Sequence, residues 1–250
     1  MAAPRKIAVA GATGRVGRPV VDVLEERGYE VVPMARYLGV DVITREGLAE
    51  ALAGVDAIVD AATGPSPDED EATAFFAAAA ENLQEAGHLA GVQRLVVVSI
   101  VGTDKVTSGY GAAKIAHEDT ALAGPIPVRI LRATQFHEFV QQLVQWGTQG
   151  EVAYVPRMRT QLVAARAVAE AIADLAVAPE WTGSPLSEVA GPREESLVEM
   201  ATLLASRRGL PLKVEGVSDP TQPVNENGGL LPGPDALLVG PTFEDWLAES

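Results

Sequence analysis

The sequence predicts an α/β protein with a doubly wound parallel sheet and a smaller α/β annex toward the C-terminus. Short apolar runs alternate with helix-like patterns over residues 6–150, which is typical of parallel strands joined by crossover helices. The run Leu95–Val98 is apolar without alternation, as expected of a strand covered on both faces. The rhythm changes after residue 150. We therefore predict a core over residues 1–150 and a smaller, substrate-side region over residues 151–250, packed together as one structural unit.

The individual elements follow from local patterns. Strands are assigned to short apolar or β-branched runs, and helices to segments with apolar residues at three- and four-residue spacing. The predicted strands are Lys6–Ala10, Glu30–Met34, Val40–Ile43, Val55–Ala61, Gln93–Ile100, Val128–Leu131, Val152–Val155, Leu186–Ala190 and Leu212–Val217. The predicted helices cover residues 15–27, 45–53, 67–90, 109–122, 164–176, 194–207 and 242–248, and residues 218–241 are predicted to be loop.

The start of the third helix carries a capping pattern. Ser66 is predicted to be the N-cap, Pro67 lies in the first turn, and Glu69 closes a capping box. The acidic run Asp68–Glu71 complements the positive end of the helix dipole. We interpret these carboxylates as helix-start electrostatics rather than as a metal site.

Composition narrows the function classes. The 250 residues carry a formal net charge of −15, which argues against nucleic acid or an anionic membrane as the main partner because both require basic patches. There are no cysteines, so the chain has no disulfide framework and no thiolate metal site. No apolar run has the length of a membrane span or of a signal peptide. We expect a cytoplasmic protein, monomer or homodimer, that acts on a small molecule.

A glycine-rich turn follows the first predicted strand. Residues 11–17 read Gly-Ala-Thr-Gly-Arg-Val-Gly, with glycines at three-residue spacing between an apolar strand and a helix-like pattern. Such a turn can lay a pyrophosphate against a helix N-terminus, where backbone N–H groups and the helix dipole favour an anion. Glycine also serves ordinary tight turns, but the position of this one favours a nucleotide cofactor.

The residues after the second strand favour NADP(H) over NAD(H). About 20 residues after the glycine turn, a carboxylate would be expected to bind the adenosine ribose of NAD. Arg36 stands there instead, and Arg15 lies inside the turn. Two guanidinium groups suit a 2′-phosphate. The alternative is a pair of solvated surface arginines.

A second motif lies on the predicted helix over residues 109–122. Tyr110 and Lys114 are four residues apart and therefore share one helix face. A nearby ammonium would lower the pKa of the tyrosine, which could then protonate a carbonyl oxygen as hydride arrives. Lys114 could also bind the nicotinamide ribose. The same spacing arises by chance in many solvated helices, but this pair follows a buried strand, where a doubly wound sheet opens its ligand crevice.

Together these segments resemble the short-chain dehydrogenase/reductase superfamily, and within it the atypical, NmrA-like, NAD(P)H-binding branch. The resemblance rests on residues 11–17, Tyr110–Lys114 and Leu131–Phe139; it follows the whole chain in order and is loose over the C-terminal hundred residues. It implies a Rossmann-like fold and an NADP(H)-dependent oxidoreductase. The substrate would be a small organic molecule with a carbonyl, quinone or C=C group.

The resemblance also implies cofactor contacts and a catalytic pair. Tyr110 and Lys114 would be the pair. The implied cofactor contacts are Gly11, Thr13, Gly14, Arg15 and Val16 at the pyrophosphate, Arg36 at the 2′-phosphate, Asp41 and Val42 at the adenine, Ala61, Ala62 and Thr63 along the cofactor, Lys114 at the ribose, and Ala133, Thr134 and Gln135 near the nicotinamide.

One position departs from the superfamily pattern. The superfamily usually places a catalytic Ser or Thr just past the strand predicted at residues 93–100. Ser99 comes before that place and Val101 occupies it. Ser99 is retained as a candidate carbonyl anchor. Two other functions stay open: a non-catalytic NADP(H) sensor that binds a partner, and an NAD(P)-dependent epimerase or isomerase.

The histidines do not form a metal-ligand spacing, so no metal is predicted. His88 is distant in sequence from the motifs. His117 follows Lys114 by one helical turn and is predicted to lie on the helix surface. His137 is the one histidine near the predicted pocket and is a candidate substrate contact.

Overall fold

The computed structural model describes residues 5–106 and 108–249, and twelve strands and eight α-helices occur among them. The strands are β1 (Lys6–Ala10), β2 (Glu30–Met34), β3 (Ala57–Asp60), β4 (Arg94–Ile100), β5 (Val128–Ala133), β6 (Thr148–Gln149), β7 (Val152–Pro156), β8 (Arg159–Thr160), β9 (Leu186–Ala190), β10 (Glu195–Ser196), β11 (Lys213–Val217) and β12 (Leu237–Leu238). The helices are α1 (Gly17–Glu26), α2 (Leu48–Ala51), α3 (Glu69–Ala90), α4 (Gly109–Ala123), α5 (His137–Gly147), α6 (Ala165–Val177), α7 (Leu197–Arg207) and α8 (Phe243–Glu249).

A seven-stranded parallel sheet carries the fold, with the strand order β12-β9-β5-β4-β3-β1-β2. Strand β1 lies between β2 and β3 and pairs in parallel with both. The chain therefore adds β2 on one side of β1 and then adds β3 and β4 on the other side. This reversal confirms the doubly wound fold. Open α/β sheets bind ligands beyond the carboxyl ends of their strands at such a switch point, which here lies between β1 and β3.

The chain divides into two compact units. The first unit comprises Met1–Arg132 and Ala169–Ser187, and the second unit comprises Ala133–Val168 and Glu188–Ser250. Each unit is built from two separate segments of the chain. The sequence analysis instead predicts two continuous regions that meet at residue 150. The glycine turn and the Tyr110–Lys114 motif both belong to the first unit.

Each unit has its own apolar core. In the first unit, Ile58 of β3 and Leu83 of α3 are fully buried members of one cluster. In the second unit, Leu204 of α7 and Phe243 of α8 belong to another cluster. Burying a side chain of this size contributes roughly 1.5–3 kcal/mol relative to leaving it in water. The apolar runs and periodicities of the sequence therefore account for the packing of both units.

The strand predicted at Val40–Ile43 is wrong, because this segment is a turn. Asp41 Oδ1 accepts the backbone N–H groups of Ile43 (2.7 Å) and Thr44 (3.3 Å). An aspartate that bonds its own neighbouring backbone offers the chain an alternative to a sheet ladder. This local competition outweighs the β-branched character of the segment.

Helix α3 begins two positions later than predicted. Asp68, not Ser66, is the N-cap, and its Oδ1 accepts the N–H groups of Asp70 (3.1 Å) and Glu71 (3.2 Å). Ser66 Oγ instead accepts the N–H of Asp68 (3.2 Å). The acidic first turn is confirmed as helix-start electrostatics.

Several elements lie where the sequence predicts none. Helix α5 and the two-residue strands β6, β8 and β12 belong to this group, whereas β10 replaces the first turn of the helix predicted over residues 194–207, which begins at Leu197. The helix predicted over residues 45–53 shortens to α2. The pairings of β10 with β8 and of β12 with β9 join segments that are distant in sequence, so local patterns do not reveal them.

Candidate functional site

The glycine turn lies at the carboxyl end of β1, beside the end of β3. Gly11 has a φ of +71°, a left-handed conformation that glycine adopts without steric cost. A Cβ at Gly11 would lie 2.5 Å from the backbone oxygen of Ala61, which follows β3. A Cβ at Gly17 would collide with the backbone oxygen of Gly11. Both positions therefore require glycine for the turn to close against β3 and against the start of α1.

Gly14 and the start of α1 leave space for an anion. A Cβ at Gly14 would approach one atom, the oxygen of Gly11 at 3.2 Å, and Gly14 is exposed together with Thr13. The N-cap of α1, Val16, makes no side-chain capping hydrogen bond, and the first turn has no acidic residue. The first turn of α1 thus carries no carboxylate of its own, and this arrangement fits a pyrophosphate on its N–H groups.

Two arginines lie close in the chain to this turn. Arg15 is part of the turn, and Arg36 begins a 3₁₀ turn directly after β2; both are exposed. The N–H of Ala12 donates to the oxygen of Met34 (3.2 Å), which ties the glycine turn to the end of β2. Within the described part of the chain, Arg36 forms no ion pair. Its guanidinium group is available to an anionic ligand.

The predicted adenine contacts, Asp41 and Val42, lie in the turn before α2, and both are partly buried. The buried Asn82 of α3 holds this turn: its Nδ2 donates to the oxygens of Val42 (2.8 Å) and Ile43 (3.0 Å). Its Oδ1 accepts from Nε of Arg45 (2.6 Å), a residue with a φ of +67°. Helix α3 therefore fixes the shape of the segment, a contact that the sequence pattern did not reveal.

Ala61, Ala62 and Thr63 continue the chain beyond β3. Ala61 lies against Gly11, Ala62 is buried and Thr63 is exposed. The N–H of Ala62 donates to Oδ1 of Asp60 (3.0 Å). The carboxyl end of β3 therefore forms one wall of the glycine turn.

Tyr110 and Lys114 both pack against Phe76 of α3. The Tyr110 ring meets Phe76 edge-on, with centroids 5.6 Å apart. Lys114 Nζ lies 4.3 Å from the centroid of the same ring, a cation–π contact. Nζ also donates to the oxygen of Val98 on β4 (2.8 Å), and Lys114 is only 5% exposed. The lysine is therefore held inside the first unit.

The expected lowering of the tyrosine pKa is wrong. Burial raises the pKa of Tyr110, against a smaller opposing effect of a hydrogen bond with Thr63. Burial also lowers the pKa of Lys114 to about 8, although the carboxylates of Asp60 and Glu118 favour its charged form. At neutral pH the phenol is thus a proton donor, and the ammonium keeps most of its charge.

His117 is not on the helix surface, as the sequence predicted, but fully buried. Its Nε2 lies 2.8 Å from Oδ2 of Asp60, and its Nδ1 lies 2.8 Å from Nζ of Lys114. The imidazole stacks on Phe76, with ring centroids 4.8 Å apart. The sequence pattern did not single out Asp60, and it assigned His117 no functional role. The available signal was a carboxylate that ends the otherwise apolar run Ala57–Asp60.

Ser99 belongs to a separate buried network. Its Oγ donates to Oε1 of Glu118 (2.5 Å). Arg132 binds both oxygens of Glu118, with Nε–Oε1 at 2.9 Å and Nη2–Oε2 at 2.7 Å, and its Nη1 bonds Asp104 (2.8 Å). Ser99 is 3% exposed and Val101 is 1% exposed. This geometry gives Ser99 a partner inside the protein and argues against its role as a carbonyl anchor.

The predicted nicotinamide contacts Ala133, Thr134 and Gln135 belong to the second unit, where Ala133 and Thr134 are buried. Thr134 Oγ1 donates to the oxygen of Gln161 (2.6 Å). The side-chain oxygen of Gln135 accepts from Oγ1 of Thr160 (2.6 Å). These polar side chains hold the segment over residues 160–161, and their predicted contacts with the cofactor stay predictions.

His137 is also fully buried, at the start of α5. Its Nε2 donates to the oxygen of Pro241 (3.2 Å), and its Nδ1 has no hydrogen-bond partner in the described part of the chain. The rings of Phe243 and Trp246 lie 5.5 Å and 5.2 Å from the imidazole centroid. Burial lowers the pKa of His137 to about 4, so the ring is neutral at pH 7. Its predicted contact with a substrate stays a prediction.

Residues 5–106 and 108–249, which the structure describes, contain neither a metal-binding cluster nor a membrane-spanning helix. No group of three or more His, Asp or Glu side chains has an arrangement that could hold a metal ion. None of the helices in these ranges has the length and apolar character needed to cross a membrane.

The sequence profile of a family described as NAD(P)H-binding matches residues 35–176, more than half of the chain. The chain belongs to this NAD(P)H-binding family. The matched segment contains the end of β3, Tyr110, Lys114 and the buried groups around them. The glycine turn precedes it. No curated protein is similar enough to the chain to count as a match.

Solved structures share the fold at low identity. A short-chain dehydrogenase/reductase superfamily protein from Agrobacterium tumefaciens with bound NAD is 18% identical, with a TM-score of 0.72, over 98% of this chain and 95% of that chain. UDP-N-acetylglucosamine 4-epimerase from Bacillus cereus is 18% identical, with a TM-score of 0.72, over 98% and 94%. The dTDP-4-dehydrorhamnose reductase from Bacillus anthracis str. Ames in complex with NADP is 19% identical, with a TM-score of 0.71, over 97% of each chain.

The solved structures confirm the Rossmann-like fold, and the family match shows that the chain is an NAD(P)H-binding protein. A nicotinamide cofactor is supported. The narrower NmrA-like assignment stays a prediction. The similar structures include complexes with NAD and with NADP, so the choice between the two cofactors depends on residues of this chain.

Proposed function

We propose that the chain is an NADP(H)-dependent oxidoreductase that reduces a carbonyl or quinone group of a small organic molecule. The observation that carries this proposal is the environment of Tyr110. Its phenol is protonated at neutral pH and shares a helix face with the charged Lys114. The same unit contains a glycine turn that fits a pyrophosphate.

The preference for NADP(H) is argued from Arg15 and Arg36. Both residues are exposed: Arg15 lies in the glycine turn, and Arg36 follows the end of β2. No carboxylate occupies the end of β2, where NAD-binding proteins place an Asp or Glu for the ribose hydroxyl groups. A guanidinium group matches the charge and the planar hydrogen-bonding geometry of a 2′-phosphate.

The proposed reaction needs one hydride and one proton. A bound nicotinamide would supply the hydride to the carbonyl carbon. Tyr110 would donate its phenolic proton to the carbonyl oxygen, so the product is an alcohol and the tyrosine becomes a phenolate. The hydrogen bond with Thr63 favours that phenolate, and solvent restores its proton afterwards. Ser99 takes no part, because its hydroxyl is engaged with Glu118.

The test is oxidation of NADPH with a panel of ketones and quinones. Tyr110→Phe should lower kcat by about 10²–10⁴-fold, the usual contribution of a positioned general acid, and should leave NADPH binding nearly unchanged. Tyr154→Phe is the matched control, because Tyr154 is an exposed tyrosine of β7 in the second unit. Equal turnover by wild type and Tyr110→Phe would remove Tyr110 from the mechanism.

A non-catalytic NADP(H) sensor is the second candidate. It is favoured by the serine position, where Val101 is buried and Ser99 is occupied. A sensor would bind NADPH, would turn over no member of the panel, and would hold a protein partner with different affinity for the two redox states of the cofactor. Absence of such a partner in pull-downs with NADP⁺ and with NADPH would count against this function.

A further inference from the structure

Three buried polar groups of the first unit form a continuous chain. Lysine has N–H donors and no acceptor, so Lys114 Nζ donates to Nδ1 of His117 at 2.8 Å. Nδ1 then carries no proton, and the ring proton lies on Nε2. Nε2–H donates to Oδ2 of Asp60, also at 2.8 Å. The imidazole is therefore neutral, in one tautomer, between a carboxylate and an ammonium group.

This chain is shielded from water. Asp60 is 1% exposed, His117 is fully buried and Lys114 is 5% exposed. Phe76 of α3 covers both the imidazole and the ammonium group. An isolated charge at such depth is costly, whereas the two opposite charges compensate each other through the ring between them.

The other groups around Lys114 are accounted for. Glu118 on α4 also favours the charged lysine, but Arg132 of β5 binds both of its carboxylate oxygens. Tyr110 on α4 is neutral at pH 7. From β4 the lysine meets the backbone oxygen of Val98. Asp60 is therefore the carboxylate whose charge is balanced by Lys114.

We propose that Asp60 and His117 are positioning residues that hold Lys114 charged and in place and couple it to the wall of the glycine turn. The coupling runs through Asp60, whose Oδ1 accepts the N–H of Ala62 while Ala61 lies against Gly11. The significance of this arrangement for catalysis rests on the proposed oxidoreductase function. The link between Asp60, His117 and Lys114 can be tested independently of that function, because its titration is measured without turnover.

The direction of the pH effect follows from the charges. Below pH 8 Lys114 is protonated and Asp60 has its counter-charge. If Asp60 loses its charge, burial acts on Lys114 with less opposition, and the lysine releases its proton at lower pH. The hydrogen bond to Nδ1 of His117 makes that imidazole a reporter of the state of the lysine.

The experiment is ¹⁵N NMR of histidine-labelled protein over pH 6–10. The chain has three histidines, and His117→Gln identifies the signal of His117. In wild type, the ¹⁵N chemical shift of His117 Nδ1 should be that of a neutral ring. It should change with pH with a midpoint near 8, as Lys114 loses its proton. Lys114→Met should abolish this shift. Asp60→Asn should move the midpoint down by about one pH unit or more.

Controls separate this inference from the proposed function. Asp104→Asn removes a carboxylate that bonds Arg132 outside the chain of three, and it should leave the midpoint unchanged. His117→Gln should retain NADPH affinity, because an amide can accept from Lys114 and donate to Asp60; His117→Phe should weaken it. A wild-type midpoint near 6.5 for His117, or a shift near pH 8 that survives in Lys114→Met, would overturn the inference. Absence of NADPH oxidation with the expected titration intact would overturn the oxidoreductase function alone.

Discussion

Two fully buried histidines, one in each unit, have opposite surroundings. In the first unit, both ring nitrogens of His117 bond charged groups, Asp60 and Lys114. In the second unit, His137 donates to one backbone oxygen, and its Nδ1 is unpartnered within the described residues. Burial lowers the pKa of both rings. Burial alone therefore does not distinguish a histidine that links two charges from one that fills an aromatic cluster; the partners of its two nitrogens do.

The largest expected effect is on stability. His117→Leu should lower the free energy of unfolding by about 3–5 kcal/mol, because it leaves a buried carboxylate and a buried ammonium group without their common partner. His137→Leu should change it by no more than about 1 kcal/mol, since the lost hydrogen bond is offset by removal of an unpaired polar atom. Urea denaturation at pH 7 measures both. An equal decrease in the free energy of unfolding of the two variants would show that the two histidines do not differ in their contribution to stability.

The next effect is a dependence of stability on pH. The pKa of His137 falls from 6.5 to about 4 on folding, mainly through burial, so the unfolded chain binds this proton more tightly than the folded chain. Its contribution is complete above pH 6.5 and is lost as the pH falls from 6.5 to 4. At 1.36 kcal/mol per unit this loss is about 3 kcal/mol.

Urea denaturation at pH 7, 5.5 and 4 measures this loss. It should be present in wild type and absent from His137→Leu, because leucine has no proton to bind. If wild type and His137→Leu lose the same free energy of unfolding between pH 7 and pH 4, the acid sensitivity comes from titration of carboxylates and not from the buried His137.

How much the sequence predicts depends on how local the cause is. The strands β1, β2 and β9 and the glycine turn were predicted with their bounds, because an apolar run and a glycine spacing are local properties. The buried position of His117 was not predicted, because the residues that surround it are distant in sequence. Phe76, which covers it, lies 41 positions earlier, and its partner Asp60 lies 57 positions earlier. The spacing of Lys114 and His117 locates them on one helix but does not say what covers them.

The same limit applies to Ser99. The sequence identifies a serine near the end of β4, but its hydroxyl is bonded by Glu118 of α4, which Arg132 of β5 binds in turn. Residues whose role is contact with an external ligand are easier to predict than residues that contact each other. Arg36 is predicted to belong to the first group, and the structure shows it exposed after the end of β2.

The smallest expected effect on stability concerns two arginines, which differ in their partners as the two histidines do. Arg132 has two internal carboxylate partners, whereas Arg36 is exposed and forms no ion pair within the described residues. Arg36→Ala should therefore leave the free energy of unfolding within about 0.5 kcal/mol of wild type. It should weaken NADPH binding by about 10- to 100-fold, the loss of one charge-assisted contact with a phosphate.

Fluorescence titration with NADPH and NADH measures the effect of Arg36→Ala, with Arg208→Ala as the control because Arg208 is an exposed arginine of the second unit. NADH lacks the 2′-phosphate, so its affinity should stay at the wild-type value. The difference between the cofactors should also shrink at high salt, because an exposed ion pair is screened. If Arg36→Ala weakens both cofactors alike, the arginine does not read the 2′-phosphate, and the preference for NADP(H) loses its support.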